Sequence, residues 1–358
     1  MIKQTVDFND NNPYTLSFGK QPYQSIPRTG EVNEVLESFL NEPSTHQAYM
    51  ITGVRGNGKT VLMTEIRNAL KEYENWETIE LSTSQNLLIT LAQTLYEDNR
   101  FTKILNQGGG FQVMGFGIQL NGNQDQVAPQ IAIKNALEKF KKHGKKLLIC
   151  IDEIISNNYV KEFASIFQIL IRDDLPIYLI MTGLYENISN LMDEKNLTFL
   201  YRTPQIKIRP LNIGAIAENY RNILGLTSDD AEKMAFLTKG YSFAFQVLGY
   251  FTYRHKGDYT AALPECRQYL EDYVYEKIWS ELSRTDRLLL YAITMSGTGK
   301  AKEIKEIAGM NNNEYTPYRD RLIKKMLVNG DEYGYLRLTL PLIEDFIKRN
   351  HQISINNY

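Results

Sequence analysis

Gly53-Val54-Arg55-Gly56-Asn57-Gly58-Lys59-Thr60 has glycines at its first and sixth positions and ends in Lys-Thr, the G-x-x-x-x-G-K-[ST] spacing of a phosphate-binding loop. The chemistry requires these residue types. Glycine lets the backbone bend and come close to a ligand where a Cβ would block it. The loop amides then face phosphate oxygens at the positive end of the helix that follows. Lys59 is spaced to reach the β- and γ-phosphates of a nucleoside triphosphate, and Thr60 to place its hydroxyl on Mg2+. Arg55, Gly56, Asn57 and Val61 complete the ligand-facing stretch, with the Arg55 side chain free to turn to solvent. Residues 48–52, Ala-Tyr-Met-Ile-Thr, read as a short buried strand. Residues 59–73 read as a helix with Val61, Leu62, Ile66 and Leu70 on one face. A phosphate loop needs this strand–loop–helix setting.

The second informative stretch is Lys146-Leu-Leu-Ile-Cys-Ile-Asp-Glu153, an apolar strand that ends in two carboxylates. In open α/β sheets, ligands bind at the carboxyl ends of the strands. Asp152 is expected to hold Mg2+, and Glu153 to orient and polarise the water that attacks the γ-phosphate. Phosphoryl transfer depends on such positioning and charge stabilisation. Thr182 ends the next apolar run, Pro176-Ile-Tyr-Leu-Ile-Met-Thr. It is read either as a ligand to the attacking water or γ-phosphate, or as a plain helix cap. Arg202 precedes the last core strand and either acts on a neighbouring copy's nucleotide or is an ordinary surface arginine. Arg28 either packs near the nucleotide base or contacts the core.

Alternation around these stretches sets the fold class. Strands are expected at 48–52, 77–81, 146–151, 176–181 and 204–208. Helices are expected at 59–73, 84–98, 128–142, 158–171 and 184–193, after an initial helix near 31–41. This βαβ pattern predicts an α/β, P-loop NTPase core: a parallel sheet with helices on both faces. Residues 110–121 fit a β-hairpin or a glycine loop equally well. The remainder divides into a helical lid at 211–282 and a C-terminal winged helix-turn-helix at 283–358. The latter has helices near 284–294, 301–308 and 313–328, an alternating stretch from Tyr333, and a frayed tail from 350. The assigned parts are therefore an arm (1–30), a P-loop core (31–210), a lid (211–282) and a winged helix (283–358).

Composition narrows the classes. The chain has 358 residues, 43% of them hydrophobic, and a net charge of −2, so nothing pulls it globally toward nucleic acid or anionic lipid. No stretch approaches the ~18 apolar residues of a membrane span, and no membrane partner is expected. Met1–Asp10 lacks a signal peptide's apolar core. The two cysteines, Cys150 and Cys266, together with that terminus suggest a reduced, cytoplasmic setting. The four histidines have no ligand spacing. Any basic surface must be local, and the clearest is Tyr318-Arg-Asp-Arg-Leu-Ile-Lys-Lys. Arg319, Arg321, Lys324 and Lys325, with Arg337 in the wing, are candidate contacts to double-stranded DNA phosphates. The alternative is a solvated face that binds a protein partner.

These motifs resemble the AAA+/STAND-type P-loop ATPases of the archaeal-ATPase group, relatives of the origin-recognition and initiator ATPases. Gly53–Thr60 matches Walker A and Leu147–Glu153 matches Walker B with its catalytic glutamate. Thr182 stands where the class carries a sensor residue. Asn12–Gly19 and Ile26–Glu31 are similar to the arm that leads into the base pocket. Lys239-Gly-Tyr-Ser-Phe looks like the group's Gly-x-Pro lid segment, with Ser242 in place of proline. No arginine occurs in Tyr241–Tyr250, where many AAA+ proteins carry a second sensor. The resemblance implies ATP as ligand, Mg2+ as cofactor, slow basal hydrolysis, and either a homo-oligomer or a protein partner that completes the site.

Overall fold

The computed structural model describes residue 8 and residues 11–17, 22–106 and 128–356, the last five by backbone alone. The stretch 110–121 lies outside the described residues. The chain divides into two compact units.

One unit spans Thr29–Thr52 and Lys59–Lys207. Its elements are α1 (Thr29–Leu40), β1 (Ala48–Thr52), α2 (Lys59–Lys71), β2 (Trp76–Leu81), α3 (Leu87–Glu97), α4 (Asn99–Asn106), α5 (Pro129–Lys142), β3 (Lys146–Ile151), α6 (Asn158–Arg172), β4 (Ile177–Gly183), α7 (Tyr185–Met192) and β5 (Gln205–Lys207). The five strands form one sheet in the order β2-β3-β4-β1-β5, and every pairing is parallel. All residues of β1 and β4 are buried. Strands covered on both faces read in sequence as unbroken apolar runs, because no side faces water. On α2, Leu62, Met63, Ile66 and Leu70 turn inward, as the helical spacing requires. Asn86 caps α3 and Asn157 caps α6, each accepting amide hydrogen bonds from the first turn. The short helix α4 lies outside the expected helices, although Phe101, Ile104 and Leu105 stand at helical spacing. It forms because Phe101, Ile104 and Leu105 have a common buried face.

The strand order places the chemistry. β4 lies between β3 and β1, pairing Ile151 with Met181 and Ile51 with Thr182. The tip of β4 therefore adjoins the acidic turn after β3 and the end of β1 that leads into the phosphate loop.

The second unit gathers Ile208–Tyr358, the loop Gly53–Gly58 and the chain up to Arg28. Its helices begin with α8 (Ile213–Leu224), α9 (Ser228–Leu237), α10 (Ser242–Arg254) and α11 (Tyr259–Leu270), then a π turn (Glu271–Tyr275) and α12 (Glu276–Ser280). There follow α13 (Arg284–Ser296), α14 (Ala301–Ala308), α15 (Asn312–Lys324), the strands β6 (Val328–Asn329) and β7 (Arg337–Leu338), and α16 (Glu344–Asn356). β6 and β7 pair antiparallel. The arm packs on α10. Tyr14 is 2% exposed, its hydroxyl donates to Asn219 Oδ1 at 2.7 Å, and its ring meets Phe245 edge-on.

Two details depart from the periodicity. α15 stops at Lys324 and not near 328, because Met326 takes a left-handed φ of 58° and Val328–Asn329 is drawn into the ribbon with β7. The tail is helical through residue 356. Phe346 anchors it against Tyr275 and Trp279, so packing overrides the weak local pattern. Among the described residues, no helix is long and apolar enough to cross a membrane.

Candidate functional site

Within the sheet-bearing unit, Asp152 is held from both sides. Thr60, in the first turn of α2, donates its hydroxyl to Asp152 Oδ2 at 2.7 Å. Thr182, fully buried at the tip of β4, donates its hydroxyl to Asp152 Oδ1. The Glu153 amide donates to Asp152 Oδ1 at 3.0 Å and to Thr182 Oγ1 at 3.2 Å. The Ile154 amide donates to the Thr182 carbonyl at 2.7 Å. These bonds hold Glu153 at φ 49°, a left-handed conformation that costs a non-glycine residue about 1 kcal/mol or more. The bend leaves the Glu153 side chain exposed while Asp152 is half-buried.

A hydroxyl and a carboxylate oxygen 2.7 Å apart are the hard donors that Mg2+ takes. Among the described residues there is no group of three or more His, Cys, Asp and Glu able to hold a metal. The donor set fits an ion whose shell is completed by phosphate oxygens and water. Thr60 and Asp152 are the residues that would hold it. Lys59, 9% exposed, and Val61 occupy the same helical turn.

The loop itself is bent at Gly56 (φ 77°) and Gly58 (φ 88°), where a side chain would be strained. Within the second unit, its carbonyls are engaged by the start of α10. Tyr241 Oη donates to the Arg55 carbonyl at 2.5 Å, the Phe243 amide to that of Gly56 at 3.1 Å, and Ser242 Oγ to that of Asn57 at 3.1 Å. Arg28 is buried. Its guanidinium donates to the carbonyls of Arg209 (2.7 Å) and Asn57 (3.4 Å) and to Ser242 Oγ (3.3 Å). Asn57 Nδ2 donates to the Ile208 carbonyl. Arg55 pairs with Glu281 at 3.5 Å. Arg202 is exposed, at the end of a 3-10 turn (Thr198–Arg202).

The basic cluster near the C terminus is differently employed. Asp286 is 1% exposed and forms a capping box with Ser283 at the start of α13. Arg321 grips Asp286 Oδ1 with Nε (2.9 Å) and Nη2 (2.7 Å), and Lys325 Nζ stands 3.8 Å from Oδ2. Arg319 pairs with Asp320 and Arg337 with Glu332. Lys324 is exposed.

Three features escaped the residue pattern: the left-handed Glu153, the grip of Tyr241–Phe243 on the loop, and the buried Asp286. Only Gly240, before Tyr241, signals a turn in the sequence. The others depend on distant neighbours.

A five-stranded parallel sheet with a phosphate loop after β1 and an acid pair after β3 defines a P-loop ATPase core. The chain belongs to the family described as "ATPase domain predominantly from Archaea", whose model matches residues 26–211, just over half of the chain. Residues 272–347 match a domain family of unknown function. No curated protein matches the sequence. Among solved structures, the Walker-type ATPase PABY2304 of Pyrococcus abyssi aligns with TM-score 0.65 at 15% identity, over 96% of this chain and 100% of that one. The ORC2 protein of Aeropyrum pernix, in its ADPNP-ADP complexes, aligns with TM-score 0.60 at 14% identity, over 95% and 98%. At such identities the likeness is one of fold.

Proposed function

We propose that the chain binds and hydrolyses ATP and couples nucleotide state to its C-terminal region, as a molecular switch. The observation that carries this reading is Asp152 held between the hydroxyls of Thr60 and Thr182 with Glu153 bent outward beside it. In this reading Gly53, Arg55, Gly56, Asn57 and Gly58 surround the phosphates with backbone. Lys59 neutralises the β- and γ-phosphates, and Thr60 and Asp152 hold Mg2+. That ion supplies charge neutralisation at the phosphates. Glu153 polarises the attacking water. Thr182 keeps the Asp152–Glu153 turn in shape. Arg202, exposed, is available to the γ-phosphate of a neighbouring copy, so turnover alone is slow.

The test uses three proteins. Wild type binds a fluorescent ATP analogue and releases phosphate in Mg2+. Glu153→Gln keeps binding and loses at least a hundredfold in turnover, the usual scale for a general base. Lys59→Ala loses binding. Equal turnover by Glu153→Gln and wild type would sink the catalytic assignment.

For the output, residues 283–358 are read as a winged helix that engages duplex DNA through Arg319, Lys324 and Arg337. A second reading, a protein partner, is favoured by one observation: Arg321 and Lys325 turn toward the buried Asp286. DNA binding predicts affinity that falls steeply with salt. Binding absent at 50 mM salt would leave the protein partner.

A further inference from the structure

We infer that Tyr241, Ser242 and Phe243 form a clamp that sets the phosphate loop in its binding shape, with Tyr241 as its principal positioning residue. The inference rests on the nucleotide reading above.

In a trans peptide the C=O of one residue and the N–H of the next point in opposite directions. Carbonyls 55, 56 and 57 all accept hydrogen bonds from the segment 241–243. The amides of Gly56, Asn57 and Gly58 are thereby directed away from that segment. Asn57 N–H closes the loop's own turn onto the Val54 carbonyl at 3.3 Å. Gly56 N–H and Gly58 N–H are left aimed at the opposite side, which is the orientation an anion-binding nest requires.

The geometry serves both partners. α10 starts at Ser242 and has no side-chain cap. Its orphan first-turn amide at Phe243 finds the Gly56 carbonyl instead. Tyr241 is 4% exposed, and burial pushes its hydroxyl above the ordinary tyrosine range, so it stays a donor. Gly56 has no room for a side chain, since a Cβ there would run into the Tyr241 hydroxyl.

The clamp is itself anchored. Lys239 (φ 49°) and Gly240 (φ 73°) make a tight left-handed turn. Within it the Tyr241 amide returns to the Thr238 carbonyl at 2.9 Å, and the Gly240 carbonyl accepts from the Leu211 amide at 2.8 Å. Lys239 Nζ reaches the carbonyls of Leu338 (3.3 Å) and Leu340 (3.2 Å) and Glu344 Oε1 (3.0 Å). Five consecutive residues therefore join the phosphate loop to the end of the β-ribbon and the start of α16. A shift of that C-terminal segment reaches the loop through Lys239.

The experiment removes single hydroxyls. In Tyr241→Phe, the dissociation constants of ATP and ADP rise about tenfold, while that of AMP, which lacks the β-phosphate the loop holds, moves less than twofold. The ATP KM rises in parallel. Ser242→Ala gives a smaller rise, and Ser242→Thr, which keeps a hydroxyl, restores wild-type affinity. Melting without nucleotide accompanies each variant. A merely structural hydroxyl lowers the melting temperature and weakens ATP and AMP equally, an outcome that overturns the clamp. ATP affinity within twofold of wild type for both Tyr241→Phe and Ser242→Ala overturns it too. If wild type and Lys59→Ala bind ATP equally poorly, the nucleotide reading fails and the clamp falls with it.

Discussion

At the residue scale, buried polar groups are the points where single changes register. The Asp286 carboxylate is nearly inaccessible and satisfied by Ser283, Arg321 and Lys325. Arg321→Ala leaves a buried carboxylate with the Ser283 hydroxyl and amide on Oδ2 and, for charge, only a lysine 3.8 Å away. Breaking such a pair from one side typically costs about 3 kcal/mol, less whatever Lys325 recovers by moving closer. Denaturant unfolding of Arg321→Ala should therefore shift its midpoint downward, and a change below about 0.5 kcal/mol would contradict the pairing. The result also bears on the output. Loss of DNA affinity in this variant would follow from a disturbed fold, so Lys324→Ala is the cleaner probe of a phosphate contact. Cys150 and Cys266 are fully buried, and burial pushes both thiols up to about 12. The thiolate is the nucleophile, and a raised pKa leaves almost none at pH 8. A disulfide reagent at that pH should label neither thiol in the folded protein and both after denaturation. Rapid labelling of the native chain would refute this.

At the scale of elements, the arm and α10 depend on each other. Gly249 lies mid-helix, where alanine would ordinarily gain about 1 kcal/mol in propensity. A Cβ there would come within 2.6 Å of the Tyr14 ring. The ring is flanked by Tyr220 and Phe245, so it has little freedom to yield, and overpacking costs about 1–3 kcal/mol. Gly249→Ala is expected to destabilise the protein despite its better helix residue and to expose residues 11–17 to limited proteolysis. Unchanged cleavage and a raised melting temperature would mean that the arm is not seated there. The sequence shows why elements differ in legibility. β1, β3 and β4 are apolar along most of their length because both faces are covered, and such strands can be recognised without any neighbour. β6 and β7 have two residues each and exist only because they pair. α4 and α16 lie outside the expected helices: α4 shows its apolar spacing over only two turns, and α16 is seated by Phe346 against Tyr275 and Trp279.

For the whole molecule, the consequence of a nucleotide site is thermodynamic linkage. A ligand at 100 times its dissociation constant stabilises the state that binds it by about 2.7 kcal/mol. Millimolar ATP with Mg2+ should raise the melting temperature of wild type and leave Lys59→Ala unmoved. If Thr60 and Asp152 share an ion with the phosphates as proposed, omitting Mg2+ should reduce the shift. An identical shift in Lys59→Ala would show that the effect arises elsewhere. The linkage extends to the output: if the turn at Lys239–Phe243 connects loop and ribbon, whatever engages the C-terminal region alters ATP affinity by the same factor that ATP alters its binding.

The amino-acid order alone determined the phosphate loop, the acid pair and the alternating strands and helices, because each is written in contiguous residues whose spacing is set by local backbone geometry. Tertiary structure alone decided the bend at Glu153, the engagement of Arg321 and Lys325 by Asp286, and the hydrogen bonds from Tyr241–Phe243 to carbonyls almost two hundred residues earlier. Those depend on which side chains meet across the folded chain. A donor's partner is fixed by three-dimensional proximity and the need to satisfy buried polar groups, and neither leaves a periodic trace in the sequence.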